Sequence, residues 1–124
     1  MVTARVFLRP DSAIEMRVNG HADFADLGRD PVCAGASVLA MTIAQCIDLM
    51  AKAGSLDDVK IKIGNGNIRV VAKPKEDAIK EAMDFFHVAA IGFQLLQESY
   101  PEHVKLILLE PADEDEESGD ADSE

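Results

Sequence analysis

The chain has 124 residues, 48% of them hydrophobic, and a formal net charge of −11. That length suits one hydrophobic core and excludes two. Eight of the acids crowd into residues 113–124; without them 12 basic residues face 15 acidic ones, a net of −3, so the body lacks the sequence clusters of Lys and Arg that mark a nucleic-acid surface.

The chain opens MVTARVFLRP, too short and too polar for a signal peptide, and no apolar run is expected to reach the length of a membrane span. Residues 2–8 read as a strand, followed by turn chemistry at Arg9-Pro10-Asp11-Ser12. Residues 14–19 alternate Ile14, Met16 and Val18 with Glu15, Arg17 and Asn19, the pattern of a half-buried strand, which runs directly into Gly20-His21. Residues 21–29 lack periodicity and read as a loop. Asp30-Pro31 marks a helix start, because Asp caps free N–H groups and Pro is favoured at the first helical position. The helix runs to about Ala53, with Gly54 as its stop. It is apolar on nearly all sides, which calls for cover by a sheet and by a second subunit.

Residues 57–63 and 67–73 flank Gly64-Asn65-Gly66, a hairpin signal. A long helix follows from Glu76 to Ser99, with Gly92 inside it at a penalty of ~1 kcal/mol. Pro101 closes it, and residues 103–109 form a last strand. The fold class is α+β, a two-layer sandwich in ββαββαβ order, with two helices packed on one face of a mixed or antiparallel sheet. Residues 1–110 are expected to form one domain and 111–124 a disordered acidic tail, which suits a basic partner or simply solubility.

Chemistry concentrates at the first helix start. Cys33 is about the third helical residue, where unpaired N–H groups and the helix dipole favour thiolate over thiol. The same amides, at Cys33 and Ala34, could donate to an oxyanion. His21 ends the preceding strand, and an imidazole can take a thiol proton and return it. Gly20 permits an unusual backbone angle or a close approach by a substrate chain. Ser37 shares a helical face with Cys33 and could bond within a site or back to the carbonyl of residue 33. Asp30 could orient His21 or merely cap the helix. A lone helix-start cysteine can equally be a small buried hydrophobe.

Elsewhere the residues read as structural. Cys46 is expected to be a core thiol, His87 and His103 structural or surface groups, and Phe85-Phe86 core. On one helix, Cys33 and Cys46 would lie ~20 Å apart, so a mutual disulfide is excluded and free thiols in a reducing cytoplasm are expected. No cofactor and no metal are expected, since no ligand pair is closely spaced.

The stretch Asn19-Gly20-His21-Ala22-Asp23-Phe24-Ala25, followed by Gly28-Arg29-Asp30-Pro31-Val32-Cys33-Ala34-Gly35-Ala36-Ser37, resembles the signature of the ribosomal-processing cysteine proteases. Ser99-Tyr100-Pro101-Glu102 before the final strand resembles that family's Tyr-Pro turn. Pro31 departs from the apolar residue usual there. The resemblance implies a cytoplasmic homodimeric cysteine endopeptidase that removes the N-terminal extension of a large-subunit ribosomal protein, phage relatives trimming capsid or scaffold proteins of the head. It implies a peptide or protein substrate, with no direct nucleic-acid or membrane partner. By motif, Cys33 carries over as nucleophile and His21 as general base and acid. Asp30 and Ser37 carry over as supporting residues, and Gly20 as the hinge of a loop over the site; Ala34 is expected as backbone oxyanion donor from its place at the helix start. The alternative is a non-catalytic ribosome-associated binding or assembly module; a thiol redox protein is a third reading, weakened by the lack of a nearby resolving cysteine.

Overall fold

The computed structural model describes residues 1–26 and 28–109, with the side chain of Leu109 excepted; the expected disorder of residues 111–124 lies outside the described residues. Strands β1 (Val2–Leu8) and β2 (Ile14–Asn19) precede helix α1 (Pro31–Lys52). Strands β3 (Leu56–Gly64) and β4 (Asn67–Pro74) form a hairpin, and a 3-10 turn (Glu76–Ala78) leads into helix α2 (Ile79–Ser99), followed by β5 (Val104–Leu109). The sheet order is β3-β4-β2-β1-β5. All pairs are antiparallel except β1 with β5, which is parallel, so the sheet is mixed and the ββαββαβ reading holds.

The alternation read in β2 decides which face is covered. Successive strand side chains point to opposite faces, and Ile14, Met16 and Val18 turn toward the helices. They join Ala4 of β1, Val70 of β4 and Val104 of β5, all nearly or fully buried. From above, α1 contributes Val32, Ile43 and Ile47, and α2 contributes Phe86 and Phe93. By length and mean hydropathy α1 could cross a membrane, against the expectation that no segment would. In the fold, its stripe of Val32, Ala36, Ala40, Ile43, Ile47 and Met50 is a packed core face. Gly92 also has a reason: a Cβ there would stand 2.5 Å from Leu39 Cδ2 of α1, so its small size sets how closely the helices cross. Cys46 is only half-buried, rather than a core thiol.

The opposite sheet face carries charge. In register, Arg5 lies opposite Arg17, Arg17 opposite Arg69, and Arg69 opposite Lys62. Like charges directly opposite are destabilising, and this row spans four strands. Sequence scanning finds no basic cluster because these residues come together only through strand register. Glu15 sits beside the row, fully buried. Its carboxylate accepts hydrogen bonds from Arg9 (3.0 Å), Arg69 (3.0 Å) and Arg17. The Arg17 guanidinium lies 5.7 Å from the Phe7 ring centroid, a cation–π distance. Burial pushes the Glu15 carboxyl up, but the bonds from Arg69 and Arg17 outweigh it and hold the group below the usual carboxylate range.

Glu15→Ala would leave these guanidiniums without their carboxylate and is expected to cost about 3–5 kcal/mol in denaturant unfolding. Because the folded-state pKa is depressed, the wild-type contribution is fully present above the unfolded carboxylate range, around pH 4. It fades as pH falls through the lower folded value. Loss of less than about 1 kcal/mol, or an unchanged acid limb in the variant, would show that the cluster is not what holds this face.

Candidate active site

Three chain segments meet at one end of the sheet: the end of β2, the β3–β4 turn and the start of α1. Gly20 makes the meeting possible. Its φ is +96°, and a Cβ there would stand 2.2 Å from the Met1 carbonyl oxygen, a distance no side chain tolerates. The close approach expected at Gly20 is therefore made by the chain's own first residue. The Gly20 N–H donates to the Gly66 carbonyl at 2.9 Å, tying the strand end to the hairpin turn just before His21.

At the helix start Asp30 adopts an extended backbone and Pro31 takes the first helical position. Asp30 Oδ1 accepts from the amides of Val32 (2.9 Å) and Cys33 (3.0 Å). Its Oδ2 accepts from the loop amides of Phe24 (2.8 Å) and Ala25 (3.1 Å). One carboxylate thus fastens both the helix and the loop that leads to it. Burial raises its pKa, but the backbone bonds, that from Cys33 foremost, prevail and hold it below the usual range.

This geometry corrects two expectations. Asp30 makes no bond to His21: its two oxygens are spent on backbone amides, so its role is to cap the helix and anchor the loop. The Ala34 amide is not a free oxyanion donor either. It donates to the Asp30 carbonyl at 3.0 Å as the first intrahelical bond, and the Cys33 amide is held by the cap.

Cys33 and His21 do meet, with Cys33 Sγ 3.9 Å from His21 Nδ1. Both side chains are half-buried. They line a cavity of about 250 Å³ together with Ser37, Asn65 and Gly66. Ser37 makes no hydrogen bond among the described residues, so the back-bonded reading is not realised. A larger cavity, about 730 Å³, lies at the other end of β1, lined by Leu8, Met83 and Phe86. It contains no cysteine, whereas Cys33 lines the smaller one.

Two contributions escaped the sequence reading. The first is the hairpin. Gly66 has φ +71°, and a Cβ there would lie 2.7 Å from His21 Nε2; glycine at this turn is what leaves room for the imidazole. The second is a clamp behind the loop. His103 Nδ1 lies 2.7 Å from the Ala22 carbonyl, to which it donates, and Phe24 packs edge-on against Tyr100 (5.2 Å) and His103 (5.3 Å). The Tyr-Pro turn and His103 therefore secure the loop between His21 and Cys33.

The family model described as cysteine protease Prp matches residues 1–105. Among solved structures, an essential ribosomal processing protease Prp from S. aureus, with a covalently linked product peptide, is 21% identical with a TM-score of 0.69, covering 88% of this chain and 100% of that one. The same protease with a substrate peptide is 20% identical with a TM-score of 0.60, covering 89% and 99%. SMU.848 from Streptococcus mutans is 20% identical with a TM-score of 0.63, covering 89% and 95%. At these identities the structural likeness establishes a shared fold. No curated protein matches the sequence.

Gly66→Ala is expected to displace His21 and lower turnover at least tenfold. It also places a side chain in the left-handed region, at about 1–2 kcal/mol. Gly54→Ala separates the two effects, since Gly54 has a similar φ of +78° but open space around it. That control should lose stability and keep its turnover per folded molecule. Equal turnover in both variants would remove the hairpin from the site.

Proposed function

Since the chain belongs to the family of the cysteine protease Prp, we propose that Cys33 and His21 are its catalytic nucleophile and base, acting on the N-terminal extension of a large-subunit ribosomal protein in the cytoplasm. The observation that carries this reading is the 3.9 Å separation of Cys33 Sγ and His21 Nδ1 across the loop. That distance is loose for a proton transfer, but such contacts tighten when substrate binds.

His21 Nδ1 takes the Cys33 proton. The thiolate attacks the scissile carbonyl carbon, placing negative charge on its oxygen. Collapse breaks the C–N bond, and the imidazolium returns its proton to the departing amine. Water, deprotonated by His21, then hydrolyses the thioester and restores the thiol. With the amides of Cys33 and Ala34 committed, the oxyanion needs other donors. The Ser37 hydroxyl and the Asn65 side-chain amide, both lining the cavity, are the groups able to supply them. The loop of residues 22–29 would close over an extended substrate, anchored by Asp30 at its far end.

The homodimer belongs to the same reading. Val38, Met41 and Leu49 on α1 and Val88, Ile91 and Leu95 on α2 are large exposed apolar residues on helices that pack side by side through Leu39 and Gly92. Such a surface favours a second copy of the chain.

The test incubates wild type, Cys33→Ala and His21→Ala with a precursor ribosomal protein carrying its extension, and with a phage head protein, and locates the cuts by mass spectrometry. Cys33→Ala should abolish cleavage, and His21→Ala should lower it by about 10²–10⁴-fold. Ser37→Ala and Asn65→Ala should each reduce kcat, by up to about 10²-fold if they hold the oxyanion. Cleavage by the Cys33→Ala protein would end the proposal, and cleavage of the head protein alone would replace its substrate. In the wild type, iodoacetamide should label Cys33 faster than Cys46 at neutral pH.

A further inference from the structure

The cleavage reading gives His21 a task and leaves His103 without one, although His103 touches the loop that begins at His21. Its Nδ1–H donates to the Ala22 carbonyl at 2.7 Å, one residue beyond the base. Ala22 is buried, only 1% exposed, and a carbonyl on a buried residue calls for a donor within the protein. His103 is well placed to be that donor. It stands between α2 and β5. Its own N–H donates to the Tyr100 carbonyl at 2.9 Å, and its carbonyl accepts from the Val2 N–H of β1 at 2.8 Å. The imidazole that reaches the loop is therefore carried by backbone fixed to a helix end and to the sheet.

Just past Ala22 the chain turns sharply. Asp23 has φ +55°, in the left-handed region that a residue with a side chain seldom adopts. Such a conformation persists where its neighbours fix it, and both neighbours are fixed. The Ala22 carbonyl is held by His103, and the Phe24 amide is held by Asp30 Oδ2 at 2.8 Å. The Phe24 ring then packs edge-on against Tyr100 and His103. On the other side of the base, the Gly20 N–H is bonded to the Gly66 carbonyl at 2.9 Å. His21 is thus suspended between two anchored peptide groups, and His103 supplies the anchor on the loop side.

We propose that His103 is a positioning residue for peptide cleavage. By holding the Ala22 carbonyl it fixes the backbone that carries His21 and keeps that imidazole facing Cys33 Sγ, 3.9 Å away. It does not touch the reacting atoms. The inference rests on the reading of Cys33 and His21 as nucleophile and base.

Iodoacetamide labelling of Cys33 at neutral pH tests it without a substrate, and Cys46 in the same chain reports whether the fold is intact. His21→Ala should slow Cys33 labelling relative to Cys46 by about fivefold or more. His103→Phe keeps a ring against Phe24 but removes the donor, and should slow it about threefold or more. An Asn side chain can donate from Nδ2, so His103→Asn should recover to within about twofold of wild type. His87→Phe, at an exposed position of α2, should match wild type. With the precursor ribosomal protein as substrate, His103→Phe should lose kcat about tenfold while KM moves less than about twofold. Wild-type labelling and kcat in His103→Phe would overturn the proposal and leave the catalytic pair standing. So would a change confined to KM, or a loss that His103→Asn fails to recover. Unchanged Cys33 labelling in His21→Ala would remove the pair itself, and the proposal with it. Should His103→Phe fail to fold, long-range ¹H–¹⁵N spectra of wild-type histidines decide: a proton on Nδ1 of His103 is expected, and a ring protonated only at Nε2 would overturn the proposal.

Discussion

The Asp30 carboxylate is the contact on which the site depends. It accepts from Val32 and Cys33 on the helix side and from Phe24 and Ala25 on the loop side. A capping residue ordinarily satisfies the first helical amides alone. Here the second oxygen closes a loop whose other end is His21, so one side chain fastens both the helix start that carries the sulfur and the loop that follows the imidazole. The four bonds favour the ionised form, which is why the group stays anionic beside a thiol.

The second constraint is space. Gly20 admits the Met1 carbonyl and Gly66 admits the His21 ring. Both have positive φ, and both lie where two backbone segments are joined by the Gly20 to Gly66 hydrogen bond. The imidazole is thus held between a strand end and a turn that the hydrogen bond keeps together, while the loop beyond it is fastened at Ala22 by His103 and at Phe24 by Tyr100. Cys33 lies in α1 and His21 follows β2 by way of Gly20, and the irregular segment connects them.

Local signals were legible in the sequence. The alternation in residues 14–19, the Asp30-Pro31 helix start, the Gly54 stop and the Gly64-Asn65-Gly66 turn each reflect interactions within a few residues, and each element stands where it was read, although β2 is buried on both faces rather than half-buried. The juxtaposition of His21 and Cys33 was readable only through the family resemblance, since nothing in a twelve-residue separation fixes a distance. What escaped depends on distant partners. Gly92 reads as a helix defect until Leu39 is placed against it, and Gly66 reads as turn chemistry until His21 is placed against it. The Ala34 amide reads as a free donor until the cap is seen to draw the first helical turn closed.

The same distinction explains the sheet's charge. Periodicity tells which residues of one strand share a face, but only register tells what stands beside them. Arg5, Arg17 and Arg69 are each ordinary polar positions in sequence. Register brings them into one row, where the buried Glu15 carboxylate accepts from Arg17 and Arg69. The chain's overall charge of −11 conceals this, because eight of its acids lie in residues 113–124 while the cations of the row come from four separate strands. Two faces of one sheet thus have different requirements. Apolar burial satisfies the first through α1 and α2, whereas on the second the buried Glu15 carboxylate holds Arg17 and Arg69, ion pairs largely out of water that salt screens less than fully exposed ones.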